Sequence, residues 1–117
     1  FHHKSRTHSS FGFIPELEAV ARQQLWVNPA DAESRSIEDG DLIAVTSPVG
    51  EIRIEAKVTP RVIPGTVMIP QGAWHKANMN GDKVDEGGCV NTLTQYKPTP
   101  MAKGNGTHSM IVQIAKA

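Results

Sequence analysis

Glu51-Ile52-Arg53-Ile54-Glu55-Ala56-Lys57-Val58 alternates charged and apolar side chains along its whole length. An extended chain points successive side chains to opposite faces, so this stretch reads as a strand with Ile52, Ile54, Ala56 and Val58 toward a core. Working outward, Pro48-Val49-Gly50 is a turn, and Leu42-Ile43-Ala44-Val45-Thr46-Ser47 before it is β-rich and mostly apolar, which predicts a strand buried on both faces. Thr66-Val67-Met68-Ile69, stopped by Pro70, reads as a further strand. Gln24-Leu25-Trp26-Val27 is a brief one, and residues 109–115 form a closing one. Two short helices fit between them. The first covers residues 14–22, with Pro15 at its first position, Glu16 and Glu18 in its first turn, and Leu17, Val20 and Ala21 on one face. Asn28 caps the second, which starts at Pro29 and runs to Arg35 before a turn in which Gly40 takes a positive φ.

Residues 37–43 and 62–68 echo each other weakly: an apolar residue, a turn with glycine, then a strand. Two such units packed on one another would make a small pseudo-symmetric barrel. Residues 71–106 carry little regular pattern, and an irregular stretch that long in a compact domain signals a functional loop or disorder. Burial of Trp74 and Tyr96 would argue for the former.

The chain has 117 residues, one domain's worth, enough to bury roughly 65% of its unfolded surface. Lys plus Arg and Asp plus Glu each number 12, so the net charge is zero, which argues against a dedicated nucleic-acid binder. Cys89 is the only cysteine, so neither an internal disulfide nor a cysteine-based zinc site is available. The longest apolar run, residues 42–45, is far short of the ~20 residues that span a bilayer. Because the sequence starts at Phe1, it reads as a piece of a longer polypeptide.

Three polar stretches could carry chemistry. The first holds His3, Lys4, Ser5, Arg6, Thr7, His8, Ser9 and Ser10. Cations, hydroxyls and the N–H groups of an extended backbone hold phosphate or a polar heterocycle; the plain alternative is a frayed terminus. The second, Pro70-Gln71-Gly72-Ala73-Trp74-His75-Lys76, leaves a strand end directly; the alternative there is Trp74 in the core and His75 on the surface. In the third, Gly87-Gly88 precede Cys89, Asn91, Thr92, Thr94, Gln95 and Lys97. Such amides and hydroxyls read a heterocycle edge, and a capped short helix from Asn91 is the alternative. Cys89 has no identifiable base beside it and reads as a structural thiol. No phosphate-binding glycine loop, nucleophile elbow or paired-histidine metal motif is present, so the chain reads as a binding module.

The order of several motifs resembles the C-terminal domain of molybdopterin oxidoreductases of the dimethyl sulfoxide reductase family, in the branch of the anaerobic, membrane-anchored reductases. The motifs are Arg6-Thr7-His8-Ser9-Ser10-Phe11-Gly12, Leu25-Trp26-Val27-Asn28-Pro29-Ala30-Asp31-Ala32, Gly40-Asp41-Leu42-Ile43, Val62-Ile63-Pro64-Gly65, Pro70-Gln71-Gly72-Ala73-Trp74, and Asn91-Thr92-Leu93-Thr94 followed by residues 98–105. The resemblance implies a mainly β domain, a six-stranded double-psi β-barrel of the aspartate-decarboxylase class with short helices and long loops. It implies a domain that caps a bis(molybdopterin guanine dinucleotide) molybdenum cofactor. His3, Lys4, Arg6, Thr7, His8, Ser9 and Ser10 would contact it from the first stretch, Gln71, Trp74 and His75 from the second, and Asn91, Thr94 and Lys97 from the third. No molybdenum ligand and no catalytic residue would lie in this chain. A 4Fe-4S cluster would sit in an earlier part of the same catalytic subunit. An iron–sulfur electron-transfer subunit and a membrane anchor subunit would complete the complex, on the periplasmic face of a bacterial membrane. The alternative is a free-standing double-psi barrel that recognises proteins or substrates. A pyruvoyl decarboxylase of the same barrel class would need a Gly-Ser dipeptide, which this sequence lacks.

Overall fold

The computed structural model describes residues 4, 7–11, 14–20, 22–76, 84–95, 98–103 and 110–117. In chain order they form α1 (Pro15–Val20), β1 (Gln24–Val27), α2 (Pro29–Ser34), β2 (Leu42–Thr46), β3 (Glu51–Val58), β4 (Val67–Met68), a single 3₁₀ turn at Val90–Thr92, and β5 (Gln113–Lys116). The fold is mainly β with short helices and long connections. Among the described residues the sheet has five strands in the order β4-β1-β3-β2-β5. β1 runs parallel to β3, pairing Gln24 with Glu55, while β2 and β3 form an antiparallel hairpin in which Thr46 faces Glu51. β4 and β5 add antiparallel edges to β1 and β2.

The alternating strand behaves as its pattern requires. Ile52, Ile54 and Ala56 are buried and Val58 packs half-buried against them. They meet Leu25 and Val27 of β1, Ile43 and Val45 of β2, and Ala32 and Ile37 in one core. β2 departs from the expectation of burial on both faces. Ile43 and Val45 are buried, but Leu42 is 54% exposed, because only one face of the sheet is covered at this strand. β5 also starts later than expected. Met110 and Val112 pack against the core and Ile111 is exposed, so the alternation is present. Pairing begins only at Gln113, opposite Thr46, where β2 ends.

α1 forms but ends at Val20, which is 75% exposed, and no residue of it is buried; the signals for α2 hold. The Asn28 carboxamide oxygen accepts the Ala30 N–H at 2.9 Å, and Pro29 opens α2. Asn28 also donates to the Val62 carbonyl at 2.6 Å, which ties this cap to the second echoed unit. The two units match in detail: Ile37 and Val62 are both buried, and Gly40 and Gly65 both turn with positive φ.

Candidate functional site

The register puts the starts of β1 and β3 at the end of the sheet from which β2 and β4 leave. The second and third polar stretches are fastened there. Pro70 follows β4, and its carbonyl accepts from Gln23, the residue before β1, at 2.8 Å. The same carboxamide nitrogen donates to the Gly88 carbonyl at 2.9 Å, so one side chain straps both stretches. The third stretch is plugged into the core by Leu93, 1% exposed, whose carbonyl accepts from the Ser47 hydroxyl at 2.9 Å. A chain anchored in this way presents Asn91 outward, and its side chain is exposed. Thr94 is half-buried and donates to the Asn91 carbonyl at 3.1 Å. Of the expected alternative, a capped short helix from Asn91, a single 3₁₀ turn forms one residue earlier, at Val90–Thr92, with no side-chain cap on it.

The first stretch rests on the second. Thr7 to Ser10 close a turn through Ser10 N–H and the Thr7 carbonyl at 2.8 Å. His8 (φ 49°) and Phe11 (φ 67°) take left-handed conformations, each costing a side-chain-bearing residue about 1–2 kcal/mol. The contacts that hold this strained turn come from residues more than sixty positions on. Trp74 Nε1 donates to the Ser9 carbonyl at 2.9 Å, and Gln71 Nε2 lies 3.1 Å from His8 Nδ1. At Gly72 (φ 95°) the backbones touch so closely that a Cβ there would collide with the His8 carbonyl.

Trp74 is therefore not a core residue; it is 61% exposed, and its indole N–H donates to the Ser9 carbonyl. Lys4, Thr7, His8, Ser9, Ser10, His75 and Lys76 are exposed, and Gln71 is half-buried. The structure thus joins Thr7, His8, Ser9, Ser10, Gln71 and Trp74 directly, and it brings the backbone of Asn91 and Thr94 to the same end of the sheet. His3, Arg6 and Lys97 lie outside the described residues, as does Tyr96. A cavity of about 290 Å³ opens elsewhere, between α2, the turn before β4 and the approach to β5, lined by Asp31, Arg35, Thr66, Val67 and Met110 among others. None of the candidate residues lines it.

A family described as the molydopterin dinucleotide binding domain matches residues 1–111. The chain belongs to that family. This molydopterin-binding domain is 56% identical over 99% of its length to the putative dimethyl sulfoxide reductase chain YnfE of Escherichia coli. It is 47% identical over 99% to dimethyl sulfoxide reductase DmsA of the same organism. It is 34% identical over 98% to a dimethyl sulfoxide/trimethylamine N-oxide reductase of Cereibacter sphaeroides. The chain covers only 14%, 14% and 15% of those three proteins. Among solved structures, acetylene hydratase from Pelobacter acetylenicus superposes over 100% of the chain and 17% of its own, with a TM-score of 0.76 at 17% identity, a likeness of fold.

The residues of this domain suit a molybdopterin dinucleotide. An exposed indole offers a flat apolar face to a heterocycle. The turn it holds carries hydroxyls at Thr7, Ser9 and Ser10, and Lys4, three residues before that turn, is an exposed cation; these are the groups that meet a pyrophosphate. Asp85, which adjoins this rim through Lys76, is fully buried and accepts three backbone N–H groups, so its charge is not turned outward. Motif reading overlooked Asp85 and Gln23. The Asp85-Glu86-Gly87-Gly88 sequence carried the available signal, a short acidic side chain before two glycines, which is turn chemistry. Gln23 carried none.

Proposed function

We propose that this domain closes over a bis(molybdopterin guanine dinucleotide) molybdenum cofactor in a larger catalytic polypeptide, gripping it with the three stretches. The observation that carries the reading is the seating of Ser9 on Trp74 at 2.9 Å, with the third stretch anchored at the same end of the sheet. On this reading Lys4, Arg6 and the hydroxyls of Thr7, Ser9 and Ser10 hold pyrophosphate, with His3 and His8 beside them. Trp74, Gln71 and His75 bound the pterin or guanine face, and Asn91, Thr94 and Lys97 meet a heterocycle edge. Charge-assisted hydrogen bonds of this type contribute roughly 1.5–3 kcal/mol each. When bound, the cofactor supplies oxygen-atom transfer chemistry, and this chain's residues orient it and exclude water.

The same proposal takes in the finer architecture, the whole enzyme and its setting. The two echoed units and the parallel β1–β3 pair favour a closed six-stranded double-psi barrel over an open sheet. The reductases named above favour dimethyl sulfoxide or a related S- or N-oxide as the substrate. The same reading carries with it a 4Fe-4S cluster earlier in the polypeptide, an iron–sulfur partner subunit, and a membrane anchor subunit on the periplasmic face.

In the full-length polypeptide, Trp74→Ala and Asn91→Ala should lower the molybdenum and guanine nucleotide recovered per folded molecule. Normal contents in both would remove the assignment and favour a protein-recognition module. The isolated domain should bind guanosine diphosphate only weakly, roughly millimolar, since most contacts would come from elsewhere; a micromolar constant would contradict the capping role.

A further inference from the structure

Asp85 follows the residues 77–83 and lies beside β3. Its N–H donates to the Glu51 carbonyl at 3.2 Å and its carbonyl accepts from Arg53 N–H at 2.8 Å, which fixes its backbone to the start of the strand as a parallel bridge opposite Ile52. Its side chain is 0% exposed. Oδ1 accepts Lys76 N–H at 2.7 Å and Gly87 N–H at 3.0 Å, and Oδ2 accepts Cys89 N–H at 2.6 Å. Lys76 ends the second stretch, and Gly87 and Cys89 begin the third. Two further contacts tighten the joint. Glu86 N–H donates to the Lys76 carbonyl at 2.9 Å, and Gly87 lies so close to the Trp74 carbonyl that a Cβ there would collide with it. A buried carboxylate is costly unless its lone pairs are met, so this geometry has no slack: three amides from two loops converge on one anion.

From this we infer that Asp85, seconded by Gln23, is the positioning residue that sets the second and third stretches against each other and so fixes the cofactor-facing rim. The inference rests on the cofactor reading above. The chain of contacts runs from β3 to Asp85 and from Asp85 to Lys76 and Cys89, so the carboxylate ties the second and third stretches to the strand, and the first rests on the second through Trp74 and Ser9. Neither residue touches the cofactor; each acts through the backbone it holds. Gln23 spans the same two stretches one layer away, at Pro70 and Gly88.

The geometry makes the effect of Asp85→Asn specific. An asparagine keeps one oxygen, best placed at Oδ1 where it satisfies two amides. Its NH₂ then faces the Cys89 N–H, donor against donor, so the third stretch loses its tie at Cys89 while the second keeps its own and Leu93 stays in the core. The test uses the full-length polypeptide loaded with cofactor. Asp85→Asn should speed amide exchange at Cys89 and leave Lys76 and Gly87 protected. It should also raise the rate of molybdenum loss on dialysis on the order of 10-fold, the factor that the net contribution of about one hydrogen bond converts to. Val27→Ala, a core change away from the rim, is the control for general loosening. If it sheds molybdenum as fast as Asp85→Asn at the same thermal midpoint, or if Cys89 exchange is unaltered in Asp85→Asn, the inference is wrong. Gln23→Ala serves where Asp85→Asn does not accumulate. It should also quicken molybdenum loss beyond that control, and parental retention in it would equally overturn the inference. Trp74→Ala and Asn91→Ala run alongside. Normal molybdenum in those two overturns the cofactor reading itself, whereas loss in those two with parental behaviour in Asp85→Asn overturns only the role given to Asp85.

Discussion

Leu93→Ala separates what anchors the third stretch from what that stretch presents. Leu93 is 1% exposed and belongs to the core cluster with Leu25, Ile43 and Ile52. Truncation removes the transfer energy of its buried methyl and methylene groups and leaves a cavity, together about 2–5 kcal/mol for a leucine so enclosed. A domain of this kind is stable by about 5–15 kcal/mol, so the variant still folds, but with a large part of its margin gone. At a urea dependence of about 2 kcal/mol per molar, the unfolding midpoint should drop by roughly 1–2.5 M. Asn91, two residues away and exposed, should change stability by no more than about 0.5 kcal/mol when replaced by alanine. The assay is urea unfolding of the 117-residue domain followed by far-ultraviolet circular dichroism. A Leu93→Ala midpoint within about 0.2 M of the parent's would show that the third stretch is not held by the core, and the anchoring argument would fall with it.

Two more outcomes follow from single contacts. Gly72→Ala should lift the first stretch off the second, because the new methyl and the His8 carbonyl compete for one place; limited proteolysis should cut after Lys4 faster in the variant, at a stability cost of about 1–2 kcal/mol or more from the positive φ, and unchanged cleavage would show the two stretches are not packed as described. The Asp41 carboxyl is held below its ordinary value of 3.8 by the Glu38 N–H first and by Lys116 second. A depressed carboxyl stabilises the fold above its unfolded value, and that stabilisation is lost as pH falls through the folded one. Asp41→Asn should therefore melt below the parent at neutral pH and converge with it in strong acid, and a gap independent of pH would refute the linkage.

Much of the scaffold was legible because it is local. The period of two in residues 51–58 places Ile52, Ile54 and Ala56 in the core. Asn28 before Pro29 caps α2, and Gly40 makes its turn at φ 88°. Each depends on neighbours within a few residues. β2 was misread as buried on both faces because an apolar run does not say how many faces a sheet has covered. The start of β5 was misplaced because alternation marks an extended chain, not the length of the partner beside it. The motif order of residues 6–12, 25–32, 70–74 and 91–94 pointed to the family, which the match over residues 1–111 bears out.

The sequence by itself, then, determined the alternating strand at residues 51–58, the Asn28 cap, the Gly40 turn and the kinship. Only the tertiary structure decided that Ser9 rests on Trp74 and that Asp85 gathers the amides of Lys76, Gly87 and Cys89. The reason is physical. A strand or a cap is settled by side-chain periodicity and short-range hydrogen bonds. A backbone amide has no residue type to advertise it, so a buried carboxylate that collects amides from two loops leaves almost no trace in the order of the amino acids until the chain has folded around it.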